Sequence, residues 1–189
     1  MRTDHIDIVH LHSCPHETLE RGDVVLALQN MVREGKARVA AYSGENDSLN
    51  YALQSKQFGG LMSSFNVFDQ RAMNSVIPAA SKQGIGYIAK RPIGNAPWLY
   101  ASQPAGNYCE EYWKRMKAMK LDFGEEWLDT ALRFTLFAPG VSTSIVGTTN
   151  LVHIKKNIEI AGKGPLPDGV IQKIKNAFSR NDNNWIGQI

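Results

Sequence analysis

Cysteine is scarce. Cys14 and Cys109 are the only two in 189 residues, far apart and without CxxC or Cys/His spacing. A disulfide scaffold and a structural zinc site are therefore disfavoured, no metal is expected, and a reducing cytoplasmic compartment fits. Long apolar runs are also missing: nowhere do ~18 consecutive apolar residues occur, which argues against a membrane partner. Met1-Arg2-Thr3-Asp4-His5 lacks the basic-then-apolar order of a leader. Charge of one sign is lacking too, since 21 Lys and Arg face 18 Asp and Glu, a formal net charge of +3. No basic run exceeds Lys155-Lys156 and none is interleaved with aromatics, which speaks against nucleic acid. Finally, no GxGxxG or GxxxxGKS stretch follows a strand.

What is present is a hydrophobic content of 43%, enough for one core, so residues 1–189 are expected to form a single domain. The stretch DHIDIVHLHSCP reads as a buried strand through Ile6, Ile8, Val9 and Leu11 that ends on His12, with Pro15 stopping the pairing. Asp23 is expected to cap a helix through Val32 that closes at Gly35. Further strands are expected at 38–43, 60–66, 85–90 and 141–146. Between them helices are expected from Asp47 or Ser48 to Gln54, from Ala72 to Lys82, from Tyr108 to Lys120, and around Trp127 to Phe134. Two more follow the last strand, one carrying Leu151 to Ala161 and one opening at Pro167-Asp168. The segment with Pro92, Pro97 and Pro104 is an insertion, and its Trp98, Tyr100, Tyr108 and Trp113 read as a loop packed over the core.

Strand and helix in repeated alternation mean parallel strands joined by right-handed crossovers. Periodicity leaves two architectures open, a doubly wound sheet and part of an eight-stranded barrel. In the barrel, His12, Ser43, Asn66, Lys90 and Gly147 would gather at one rim.

DHIDIVHLHSCP, MVREGKARVAAYSG, GIGYIAKRPIG, VSTSIVGTTNLVHIKKNIE and the ending LPDGVIQKIKNAF to NWIGQI resemble, in this order, the second half of an aldo-keto reductase. The resemblance implies an α/β fold, a partial (β/α)8 TIM barrel with about five parallel strands and surrounding helices, matching the family from its fourth strand onward. It implies NADPH-dependent reduction of a small aldehyde or ketone. It also implies that the first three strand-helix units, which carry the family's Asp, Tyr and Lys, are missing here. Only the fourth catalytic group, His12, is then in place, donating a hydrogen bond to the substrate carbonyl. Tyr42, on the opposite strand face, is a poor substitute for the proton donor, and His10 reads as structural.

By the same resemblance Ser43 meets the nicotinamide carboxamide, with Gly44 where an Asn commonly follows and Met62 where a Gln is expected. Lys90 takes the place of a stacking Tyr, and Arg91, Pro92, Ile93 and Gly94 form a variant pyrophosphate loop. Gly147, Thr148 and Thr149 lead into a helix that can receive an anion. Thr148 and Asn157 match adenosine contacts, and His153 replaces an Arg at the NADP 2′-phosphate. The expected outcome is NADP(H) binding that is weak or lost. The chain is then a truncated and inactive reductase, or alternatively a non-catalytic half-barrel that binds nucleotide or self-associates, with a homo-oligomer expected from its open edges.

Overall fold

The computed structural model describes residues 3–188; Met1, Arg2 and Ile189, which belong to the opening stretch and to the NWIGQI ending singled out above, lie outside the described residues. Five strands form one sheet: β1 (Ile6–His12), β2 (Ala37–Ser43), β3 (Gly60–Ser64), β4 (Gly86–Lys90) and β5 (Thr143–Ile145). All four pairings are parallel and the spatial order is the chain order. A doubly wound sheet reverses direction at a switch point; this one does not, so its winding is that of a barrel wall.

Helices α1 (His16–Arg21), α2 (Asp23–Arg33), α3 (Asn46–Ser55), α4 (Val76–Lys82), α5 (Glu110–Met119), α6 (Trp127–Leu136), α7 (Leu151–Ala161) and α8 (Asp168–Asn181) accompany the strands. The central strands are covered on both faces, with Ala41, Tyr42, Leu61, Tyr87 and Ala89 almost fully buried. Behind them Phe65, Phe68, Tyr112 and Trp127 fill the core, and Trp98 of the insertion stacks on Trp127 at 5.3 Å between ring centroids. Of the insertion's aromatics, Trp98 and Trp113 pack against the core as expected, while Tyr100 and Tyr108 are exposed.

Several boundaries differ from expectation. Asp23 is the first residue of α2 and not its cap; Gly22, at φ +78°, closes α1 and opens α2. Before that turn, His16–Arg21 form α1, a helix that the sequence pattern does not announce. Helix α3 begins at Asn46, directly after Glu45. The expected 72–82 helix is split by a 3₁₀ turn at Arg71–Asn74. β3 stops at Ser64 because the Asn66 backbone bonds back to Asp69 instead of to β4. β5 is only three residues long and pairs on one side.

The two edges of the sheet leave apolar side chains uncovered. Ile6 and Ile8 on β1 and Ile145 on β5 are exposed, and so are Leu151, Val152, Ile154 and Ile158 on α7. No helix among the described residues is long and apolar enough to cross a membrane.

Candidate functional site

The carboxyl ends of the strands converge on one rim. β1 and β2 are in register there, His12 against Ser43, and His12 Nδ1 lies 3.0 Å from Ser43 Oγ. His12 is exposed while Ser43 is fully buried beneath it, so the imidazole and not the hydroxyl faces solvent. His10, two residues earlier, is half-buried and its Nδ1 has no partner among the described residues. Burial pushes its pKa down, which keeps it neutral and structural. Tyr42 donates to the Cys14 carbonyl at 3.0 Å, just past the end of β1, and its hydroxyl is thereby committed. Its ring also explains Gly44, since a Cβ at residue 44 would stand 2.7 Å from Tyr42 Cε1 and Cζ.

The sequence reading missed the residue that organises the middle of the rim. Glu45, one step past Ser43-Gly44, has a side chain only 2% exposed that accepts from the Ser64 N–H at 2.7 Å and meets Lys90 Nζ at 3.3 Å. Burial pushes its carboxyl up, opposed by Lys90 and the Ser64 N–H. Lys90 is thereby held along the rim by an ion pair. The only signal in the sequence is an acidic residue in the loop after a strand.

Next to Lys90, Arg91 adopts φ +54° and donates from Nη1 to the Gln188 carbonyl at 2.6 Å, with Ser64 Oγ at 3.5 Å. The Arg91 carbonyl accepts from Asn66 Nδ2 at 3.0 Å, so Asn66 ties the loop and does not face a ligand. A groove of about 410 Å³ runs between the ends of β4 and β5, lined by Lys90, Arg91, Pro92, Ile93, Val146 and Gly147 among others. It brings together five of the residues expected to hold cofactor. Pro92 and Gly94 act through packing: the Pro92 carbonyl accepts from Thr135 Oγ1 at 3.0 Å, and Gly94, at φ +57°, would place a Cβ 2.7 Å from Phe68.

Beyond β5, Thr148 Oγ1 accepts from the Asn150 N–H at 3.1 Å and lies 3.2 Å from His153 Nδ1. Asn150 caps α7 by accepting from the Val152 N–H at 2.9 Å. Thr149 is exposed there and Asn157 is half-buried about two turns further on. His12 and Ser43 at one end of the rim, and Gly147 to Asn157 at the other, are therefore separate groups linked by the Glu45–Lys90 pair. Another groove, of about 460 Å³ and bordered by Gln29, Arg38, Gln57 and Gly59, opens at the opposite ends of β2 and β3, where barrels of this type do not place chemistry. No grouping of three or more His, Cys, Asp or Glu suited to a metal ion occurs among the described residues.

The donor set fits a dinucleotide in kind: a guanidinium and an ammonium border an open groove, and peptide N–H groups at 147–149 lie beyond it. Solved structures share this architecture. The aldo-keto reductase AKR11C1 from Bacillus halodurans, in its holo form, superposes with a TM-score of 0.75 at 20% identity, covering 93% of this chain and 62% of that one. An aldo/keto reductase from Klebsiella pneumoniae in complex with NADP and acetate gives 0.67 at 16% identity, with 94% and 60% covered. The chain thus spans about three fifths of the length of these structures, and at such identities the likeness establishes the shared fold. No curated protein matches. The model of the aldo/keto reductase family matches residues 1–178, and the chain belongs to that family.

Proposed function

We propose that this chain carries the histidine and part of the cofactor-binding side of an NADP(H)-dependent carbonyl reductase, and that by itself it does not turn over. The observation that supports the reading best is the His12–Ser43 contact of 3.0 Å on the same rim as the Lys90–Arg91 groove. A Ser43 hydroxyl donating to Nδ1 leaves the proton on Nε2, from which a neutral imidazole can donate to a carbonyl oxygen as negative charge builds on it. Arg91, with Lys90 and the 147–149 backbone, would hold the dinucleotide phosphates, and Thr148, His153 and Asn157 its adenosine end. The bound dinucleotide supplies hydride.

The proton is a separate matter. None of the hydrogen bonds made by tyrosine hydroxyls among the described residues involves a lysine: Tyr42 serves Cys14, Tyr87 pairs with Ser63 at 2.6 Å, and Tyr100 accepts from Asn107. Lys90 is committed to Glu45. A positioned proton donor contributes about 10²–10⁴ in rate, so the isolated chain is expected to bind cofactor weakly and reduce nothing measurable. Titration with NADPH, followed by turnover of an aldehyde panel, tests this. Steady reduction that His12→Ala abolishes refutes it.

A second reading is favoured by the bare apolar edges, Ile6 and Ile8 at one side and Ile145, Leu151 and Val152 at the other. In it the chain is a non-catalytic half-barrel that self-associates in the cytoplasm and binds nucleotide.

A further inference from the structure

Four cationic side chains from different elements meet at the middle of the rim: Arg71 from the 3₁₀ turn, Lys90 and Arg91 from the end of β4, and Arg115 from α5. Among the described residues two carboxylates, Glu45 and Asp69, pair with them, so that within this described set cations outnumber carboxylates by two. Two buried donors in the same cluster, Arg115 Nε and Tyr112 Oη, have no partner among the described residues. Buried polar groups in native structures are nearly always satisfied, so these call for a ligand or a reason.

The remaining donors are taken up by the chain itself. Past α8, segment 182–188 turns back across the rim, with Asp182 Oδ1 accepting from the Trp185 N–H at 2.9 Å and the Trp185 ring lying 5.0 Å from the Arg115 guanidinium carbon. Three successive backbone carbonyls then face the cluster. Ile186 accepts from Arg115 Nη2 at 2.8 Å, Gly187 from Asn46 Nδ2 at 3.3 Å, and Gln188 from Arg91 Nη1 at 2.6 Å. The Gly187 N–H donates in return to Asn46 Oδ1 at 2.9 Å. Neutral carbonyls satisfy hydrogen-bond donors and leave the net charge where it was. A phosphate satisfies the donors and offsets the charge as well.

We propose that Asn46, Arg71, Arg91 and Arg115 form a cradle for a phosphate-bearing ligand, and that residues 185–188 are a strap occupying it in cis until the ligand displaces them. With the reading of the chain as a dinucleotide binder, on which this identification of the natural ligand rests, the ligand is the pyrophosphate of NADP(H), which would enter the cradle from the groove between β4 and β5 through Arg91, the residue common to both. Glycine at 187 is what lets the strap seat, because a Cβ there would stand 2.7 Å from Arg71 Nη2, 2.8 Å from Glu45 Oε2 and 3.0 Å from Asn46 Oδ1. These groups are held by other partners: Arg71 Nη2 donates to Asp69 Oδ2, Asn46 Oδ1 accepts from Arg71, and the Glu45 carboxylate is fixed through its other oxygen, Oε1, by Ser64 and Lys90.

Gly187→Val therefore unseats the strap without shortening the chain. The experiment is calorimetric titration of the parent and the variant with inorganic pyrophosphate and with NADPH, alongside hydrogen exchange of residues 185–188. Affinity for pyrophosphate is expected to rise at least tenfold in the variant, and saturating pyrophosphate is expected to speed exchange at Gly187 in the parent. A variant whose strap exchanges freely but whose affinity for pyrophosphate is unchanged or lower overturns the proposal, since the strap is then a fixed wall. If the variant does not fold, parent exchange unaltered by saturating pyrophosphate overturns it as well. NADPH failing to bind either chain while pyrophosphate prefers the variant supports the strap and refutes the dinucleotide reading. Equal NADPH binding by both chains with no release of the strap does the reverse.

Discussion

Replacing Arg71 with glutamine tests the charge cluster that the strap closes. Arg71 is bidentate to Asp69, Nε to Oδ1 at 2.8 Å and Nη2 to Oδ2 at 2.9 Å, and its Nη1 donates to Asn46 Oδ1 at 3.1 Å. The Asp69 side chain is 0% exposed and that of Arg71 26%. Without the guanidinium, Asp69 keeps one cation, Arg115 Nη1 at 3.8 Å. Breaking a fully buried ion pair costs about 3–5 kcal/mol. The remaining cation and the partial exposure of Arg71 reduce that, so about 2–3 kcal/mol is expected. At a urea slope of about 2 kcal/mol per molar the midpoint falls by about 1 M. The melting temperature of a chain this size falls by about 5–10 °C. Adding Asp69→Asn should recover part of the loss, because the buried carboxylate no longer lacks its partner. A drop below about 0.5 kcal/mol, or a double variant whose loss equals the sum of the singles, refutes the reasoning: the pair would then be solvated and the cradle not a desolvated cluster.

The exposed Ile6 and Ile8 edge and the Ile145 edge each leave a strand with one unpaired side, so at micromolar concentration the isolated chain is expected to sediment as a dimer or larger. A monomer with one cooperative unfolding transition counts against this. Burial opposes ionisation of Asp129, but hydrogen bonds from Lys163 and Arg133 win, and the carboxyl is held below the usual range. Its stabilisation is therefore complete above the unfolded-state value of about 3.9 and is lost as pH falls through the lower folded-state value. Urea midpoints of the parent and Asp129→Asn should differ at pH 6 and draw together as the pH is taken below about 3.9; a gap that does not narrow in acid refutes the assignment.

The strands could be read from the sequence because the central ones are apolar on both faces and each stops at a turn, so His12, Ser43 and Lys90 mark their ends correctly. Helix α1 could not, since six residues give too short a run for a 3.6-residue period to show. β5 was read too long for a different reason. Val141 to Val146 is apolar enough for a strand, but pairing on one side only holds three residues, and length in a sheet is set by the neighbour as much as by the segment.

The candidate site residues came from a family resemblance, and packing adds a second reason for some of them. Gly44, read as a substitution at a nicotinamide contact, is required by the Tyr42 ring; Gly94, read as part of a phosphate loop, is required by Phe68. Gly44 answers to a ring only two residues before it, whose direction the sequence does not give, and Gly94 to a ring from a different segment of the chain. The cluster at residues 45, 46, 69, 71, 91 and 115 is harder still, because each member is an ordinary charged or polar residue in its own segment. Only the parallel register that brings Ser64 beside Lys90, together with the return of residues 182–188 over them, makes the cluster one object. Arg91 illustrates the consequence. From sequence it is a free guanidinium at a strand end, whereas in the fold its Nη1 already holds a carbonyl of the same chain, so a phosphate that needs this nitrogen competes with residue 188.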